Sequence, residues 1–113
     1  MIHIVWEFLV KPGAIERFEQ VYGPDGDWAR LFSNHPGFRG TSLLPDERSP
    51  RRYFSIDAWE TTAHRRRMLS EAAAEYADLD AAAADLTESE REIGTFVSVE
   101  PNPAKPSAPR GAP

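Results

Sequence analysis

Ile2-His3-Ile4-Val5-Trp6-Glu7-Phe8-Leu9-Val10, closed by Lys11-Pro12-Gly13, is the stretch from which the fold is read. Every second residue from Ile2 to Val10 is large and apolar, the period of a strand with one fully buried face. The intervening His3, Val5, Glu7 and Leu9 are mixed in character, so the second face is expected to be partly covered too. Pro12-Gly13 ends the strand, and Ile15, Phe18, Glu19 and Tyr22 then fall at helical spacing. Gly23-Pro24-Asp25-Gly26 interrupts this helix, and Asp27 is a suitable cap for a second short helix through Trp28, Leu31 and Phe32.

Further along, Asn34-His35-Pro36-Gly37 has the chemistry of a turn and opens a second strand, Phe38 to Leu44. A polar hairpin loop, Pro45 to Pro50, leads into a third strand from Arg52 to Glu60. Phe54, Ile56 and Ala58 alternate there with Tyr53, Ser55, Asp57 and Trp59. Thr61 or Thr62 then caps a long helix with the apolar stripe Leu69, Ala72, Tyr76, Leu79, Ala83 and Leu86. Thr87-Glu88-Ser89-Glu90 matches a capping box and predicts a further short helix, ended by Gly94 before a fourth strand from Thr95 to Glu100.

The order β, α, β, β, α, β is the α+β, ferredoxin-like arrangement: a four-stranded antiparallel sheet with its helices on one face. Residues 1–100 are expected to form this domain. Residues 101–113, with five prolines and little to bury, are expected to be a disordered proline-rich tail. The helix-free sheet face is expected to carry His3, Val5, Leu9, Tyr53 and Trp59, a patch too apolar for a monomer, so a homodimer through that face is predicted.

Composition narrows the function. The chain has no cysteine, which removes disulfides, thiolate metal sites and cysteine nucleophiles. Net charge is −5, with Lys105 and Arg110 in the tail leaving −7 on the first 100 residues, so neither nucleic acid nor anionic membrane is an expected partner. The only basic runs are Arg51-Arg52 and Arg65-Arg66-Arg67, and the second reads as a solvated helix face beside His64. With no basic leader at Met1 and no apolar run near the roughly 20 residues of a membrane span, a cytoplasmic protein is expected. There is no phosphate loop, dinucleotide fingerprint or nucleophile elbow, and Asp25 with Asp27 is too sparse for calcium, so no cofactor and no metal are expected.

The topology, with Phe8-Leu9-Val10-Lys11-Pro12-Gly13 closing the first strand, His35-Pro36-Gly37-Phe38 opening the second and Trp59-Glu60 closing the third, resembles the antibiotic biosynthesis monooxygenase family. The resemblance spans nearly all of residues 1–100. It implies a dimeric α/β barrel built from two sheets face to face. In that family some members oxidise polyaromatic phenols with dioxygen and no cofactor, others degrade haem, and many have no assigned reaction. The haem-degrading pattern has an asparagine in the first strand and a tryptophan then a histidine along the second long helix. Trp6, Met68 and the Tyr76 to Asp78 neighbourhood stand nearest those places, and no histidine follows His64.

Periodicity directs Trp6, Trp28, Phe32, Phe54 and Tyr76 into the space between helices and sheet. They would either fill a core or line a pocket for a flat aromatic ligand. Three tryptophans in 12.7 kDa, set opposite an alanine-rich helix, favour the pocket. Trp6, Trp28, Phe32 and Phe54 are thus the expected substrate-binding residues. His35, Asn34 and Tyr76 are the expected catalytic hydrogen-bonding groups, His35 alone titrating near neutrality. His3 and Glu7 share a sheet face and are assigned to the interface. The expected activity is a cofactor-independent monooxygenase acting on a small aromatic or quinone-like metabolite. The alternatives are a non-catalytic, dimeric ligand-binding or stress-associated module and, more distantly, haem binding.

Overall fold

A computed structural model describes residues 1–101. The proline-rich tail expected from residue 101 lies outside the described residues from 102 onward. The elements are β1 (Ile2–Val10), α1 (Ile15–Tyr22), α2 (Asp27–Ser33), β2 (Phe38–Pro45), β3 (Arg52–Trp59), α3 (Thr62–Glu71), α4 (Ala73–Ala83), a single 3-10 turn (Ala84–Leu86) and β4 (Thr87–Val97). The four strands form one antiparallel sheet in the order β2-β3-β1-β4. This is the ferredoxin-like α+β topology.

The apolar face of β1 does what its alternation predicts. Ile2, Ile4, Phe8 and Val10 are buried and Trp6 is half-buried beneath the helices. Phe8 meets Phe18 of α1 edge-on at 5.3 Å, and Phe18 stacks on Tyr22 at 4.4 Å. Trp59 of β3 lies between Phe32 of α2, at 5.6 Å, and Phe38 of β2, at 5.1 Å. Aromatic rings therefore join the sheet to α1 and α2 with the tilted geometries that ring quadrupoles favour.

Two glycines are required where chain segments meet closely. A β-carbon on Gly26 would lie 2.6 Å from the Val21 carbonyl oxygen, so glycine lets α2 start tightly behind α1. Gly37 has φ +90°, which favours glycine, and a β-carbon there would lie 2.3 Å from the His64 ring. His64 in turn belongs to the start of α3, where Thr61 accepts a hydrogen bond from its backbone N–H at 3.1 Å as the predicted cap.

Three expectations are corrected. First, β3 presents the opposite faces: Tyr53, Ser55, Asp57 and Trp59 point to the helices, while Phe54, Ile56 and Ala58 face the helix-free side. The register decides this, because Phe8 pairs with Tyr53, Trp6 with Ser55, Ile4 with Asp57 and Ile2 with Trp59 across β1. Tyr53 and Trp59 are 2% and 1% exposed, so neither belongs to the open face. Second, Thr87–Glu90 forms no helix. It is the start of β4, whose pairing with β1 runs from Thr87 to Val97. Ladder bonds to the neighbouring strand β1 outweigh a local capping preference, which is worth only about 1 kcal/mol. Third, the long helix is two helices meeting at Ala72, where φ −106° and ψ 24° depart from helical values.

The open face carries His3, Val5, Glu7 and Leu9 of β1 and Arg52, Phe54, Ile56 and Ala58 of β3, with Leu44 and Phe96 about half exposed beside them. His3 and Glu7 do not pair with each other. His3 shares a 2.6 Å hydrogen bond with Ser98, and Glu7 accepts from Arg52 at 2.7 Å and Arg91 at 2.9 Å. Those guanidiniums hold the Glu7 carboxyl below the usual range. Arg51 is bonded to the Val10 carbonyl and Glu88, and Arg52 also to Asp46, so the Arg51-Arg52 pair is neutralised in place.

Candidate active site

Between the sheet and α1, α2 and α4 lies a small cavity of about 50 Å³ that opens to solvent. Trp6 and Phe8 of β1, Tyr22 of α1, Trp28 and Phe32 of α2 and Tyr76 of α4 wall it. The alanine-rich sequence of α4 brings Tyr76 against Trp28, edge-on at 4.7 Å. The floor is polar: Thr41 of β2 with Ser55 and Asp57 of β3. Asp80 of α4 and Glu90 of β4 are exposed and stand at the mouth.

Asp57 is the group whose ionisation this environment changes most among the carboxyls. Its register partner on β2 is Thr41, whose hydroxyl donates to Asp57 Oδ1 at 2.6 Å. Burial among aromatic rings pushes the carboxyl up to about 6, and the Thr41 hydrogen bond and the positive charge of Arg65 oppose only part of that shift. The phenols stay protonated. Burial pushes Tyr22 up to about 12 and raises Tyr76 as well. Glu90 is raised by burial and by neighbouring Asp80. The Trp28 indole N–H is buried without a hydrogen-bond partner among the described residues. A polar floor under aromatic walls can orient a flat ring, accept a proton and donate hydrogen bonds from Tyr76.

The family model for antibiotic biosynthesis monooxygenases matches residues 1–78 of this sequence. The chain belongs to the antibiotic biosynthesis monooxygenase family. Solved structures agree in fold. SnoaB, a cofactor-independent oxygenase from Streptomyces nogalater solved as a mutant, is 24% identical with a TM-score of 0.73, over 90% of this chain and 96% of SnoaB. A Bordetella bronchiseptica protein given the same family description is 20% identical at a TM-score of 0.70, over 88% of this chain and 97% of that one. A third, from Deinococcus radiodurans, is 12% identical at 0.71, over 90% and 96%. No curated protein matches the sequence significantly.

Within this monooxygenase-family domain, the structure gathers Trp6, Trp28, Phe32 and Tyr76 around one cavity. It does not bring Phe54 there. Phe54 lies on the helix-free face under the Arg52 guanidinium, 5.0 Å from its ring centre, because β3 presents the opposite face. His35 and Asn34 are also outside the cavity. Asn34 is exposed, and His35 Nδ1 lies 3.7 Å from Glu71 at the α2–β2 turn. Sequence reasoning missed Thr41, Ser55 and Asp57. The available signal was their placement: Ser55 and Asp57 lie on a strand whose neighbour, β1, directs the matching positions to the helices, and Thr41 faces Asp57 from β2. Among the described residues, no group of three or more His, Asp or Glu is placed to hold a metal, and no helix is long and apolar enough to cross a membrane.

Proposed function

We propose that this chain is a cofactor-independent monooxygenase of small aromatic metabolites, phenols above all, working in the cavity beneath α2 and α4. The observation that carries the reading is the cavity itself: aromatic walls over a polar floor that bears the half-buried carboxyl of Asp57. Family membership and the SnoaB-like fold support it. For a phenol with a free para position, the reaction needs no external reductant. The hydroxyl and the para carbon each give up a hydrogen, one oxygen atom becomes the new quinone carbonyl, and the other leaves as water. Loss of the phenolic proton is the step a protein can promote, since the phenolate is far more electron-rich than the phenol. The Tyr76 hydroxyl is suited to donate to the oxygen that gains charge.

The same proposal includes a homodimer through the helix-free sheet face, where Val5, Ile56, Phe54 and Leu44 gather, and the expected cytoplasmic setting.

The test is oxygen uptake by metal-stripped protein with α-naphthol and related phenols. Turnover above the uncatalysed rate is expected, falling at least tenfold in Tyr76→Phe, about 1.4 kcal/mol of transition-state stabilisation. Ligand-induced quenching of tryptophan fluorescence without oxygen uptake would instead support the non-catalytic ligand-binding module.

A further inference from the structure

Resting on that reading of the cavity, we propose that Asp57 is the base that accepts the phenolic proton, that Thr41 positions it, and that Asp80 and Glu90 at the mouth admit substrate only in its uncharged form. The step is a single proton transfer. The phenolic O–H bond breaks, its proton passes to the Asp57 carboxylate, and the electron pair stays on the phenolate oxygen, ready for dioxygen.

Three features of the structure support this assignment. Asp57 lines the cavity from the central strand β3, so the scaffold rather than a loop fixes its position. Thr41 occupies Oδ1 at 2.6 Å and is the one side-chain hydrogen-bond partner of this carboxyl among the described residues, which leaves the second oxygen for a ligand. The charges around it are of one dominant sign: Asp80 from α4 and Glu90 from β4 are acidic, Tyr76 and Tyr22 remain neutral phenols, and Arg65 of α3 is the one cation felt at the carboxyl. A half-buried carboxyl whose affinity for protons has been raised is a better base for a phenol than a solvated aspartate, yet it is still ionised at neutral pH. A ring carrying its own carboxylate would meet three acids, two of them before reaching the floor.

The experiment uses α-naphthol, uncharged throughout the acid to neutral range, and a carboxylated α-naphthol, with affinity read by tryptophan quenching as a function of pH. Wild-type affinity for α-naphthol should fall roughly tenfold as the pH drops through about 6, since a phenol donating to a carboxylate binds more strongly than one meeting a carboxylic acid. In Asp57→Asn, binding should be independent of pH. In Thr41→Val the midpoint should move upward, because the hydroxyl that favours the ionised form is gone. The carboxylated probe should bind at least tenfold more weakly, and Asp80→Asn combined with Glu90→Gln should recover much of that loss. Flat wild-type binding, an unmoved midpoint in either floor variant, or equal affinity for the two probes would overturn the proposal. The expected pH dependence without oxygen uptake would overturn the monooxygenase reading alone and leave Asp57 as the phenol's acceptor. Oxygen uptake with a profile indifferent to Asp57 would overturn the Asp57 assignment alone. No binding of α-naphthol at all would overturn both.

Discussion

The two faces of β3 differ in a way that reverses the usual rule. The covered face holds Tyr53, Ser55, Asp57 and Trp59, and the open face holds Arg52, Phe54, Ile56 and Ala58. The more polar set lies under helices and the more apolar set looks outward. Placing a serine and an aspartate beneath helices costs stability, and these two line the floor of the proposed site. An apolar set left open is what the proposed homodimer would cover. Each face is thus informative through the residues that do not suit it.

The largest effect should come from putting a charge on the open face. Val5→Asp sets an unpaired carboxylate beside Ile56, and the proposed dimer should weaken by about 3–5 kcal/mol, seen as monomer at micromolar concentration in sedimentation. Unchanged sedimentation would show that the open face is not the interface. On the covered face, Trp59→Ala removes a fully buried ring and should lower unfolding free energy by about 3–5 kcal/mol in urea while leaving the dimer contact residues untouched. If Trp59→Ala instead dissociated the dimer without loss of fold stability, the assignment of faces would be reversed.

A smaller effect, of opposite sign, is expected at the floor. The folded-state value of Asp57, about 6, lies above its ordinary value of 3.8, so the native protein binds more protons than the unfolded chain between those limits. Stability conferred by the protonated form is present below about pH 4 and is lost as pH rises through about 6. Asp57→Asn, which ionises in neither state, should therefore be more stable than wild type by on the order of 2–3 kcal/mol at pH 7, with the gain vanishing in acid. Thermal unfolding at two pH values measures it. Equal stability at neutral pH would mean that the carboxyl is better solvated than its position implies.

β1 was fully legible in the sequence because its two faces differ in kind, five large apolar side chains against a mixed set. β3 was not, since aromatics fall on both of its faces and the polar Ser55 and Asp57 imitate a solvent side. Only pairing with β1 resolves that ambiguity, and pairing is a property of the sheet, not of the segment. The same limit explains β4. Thr87-Glu88-Ser89-Glu90 satisfies a helix-start pattern locally, whereas nine residues of β1 offer it a ladder. For the cavity, the large aromatics Trp6, Trp28, Phe32 and Tyr76 were readable from periodicity, while its polar floor was hidden by the same inversion that misplaced Phe54.

The floor residues Thr41, Ser55 and Asp57 sit on the two adjacent strands β2 and β3, held by ladder hydrogen bonds, and no loop supplies them. A site mounted this way is precise, but it is poorly placed for rapid diversification. Exchanging the hairpin loop or the α1–α2 turn would leave the floor chemistry as it is. Libraries aimed at new substrates would have to vary strand positions where every change is also a change in foldability. Evolution of specificity in this domain is then expected to proceed through few, compensated substitutions in the sheet and through freer variation at Asp80 and Glu90, whose exposed side chains can change without disturbing the packed interior.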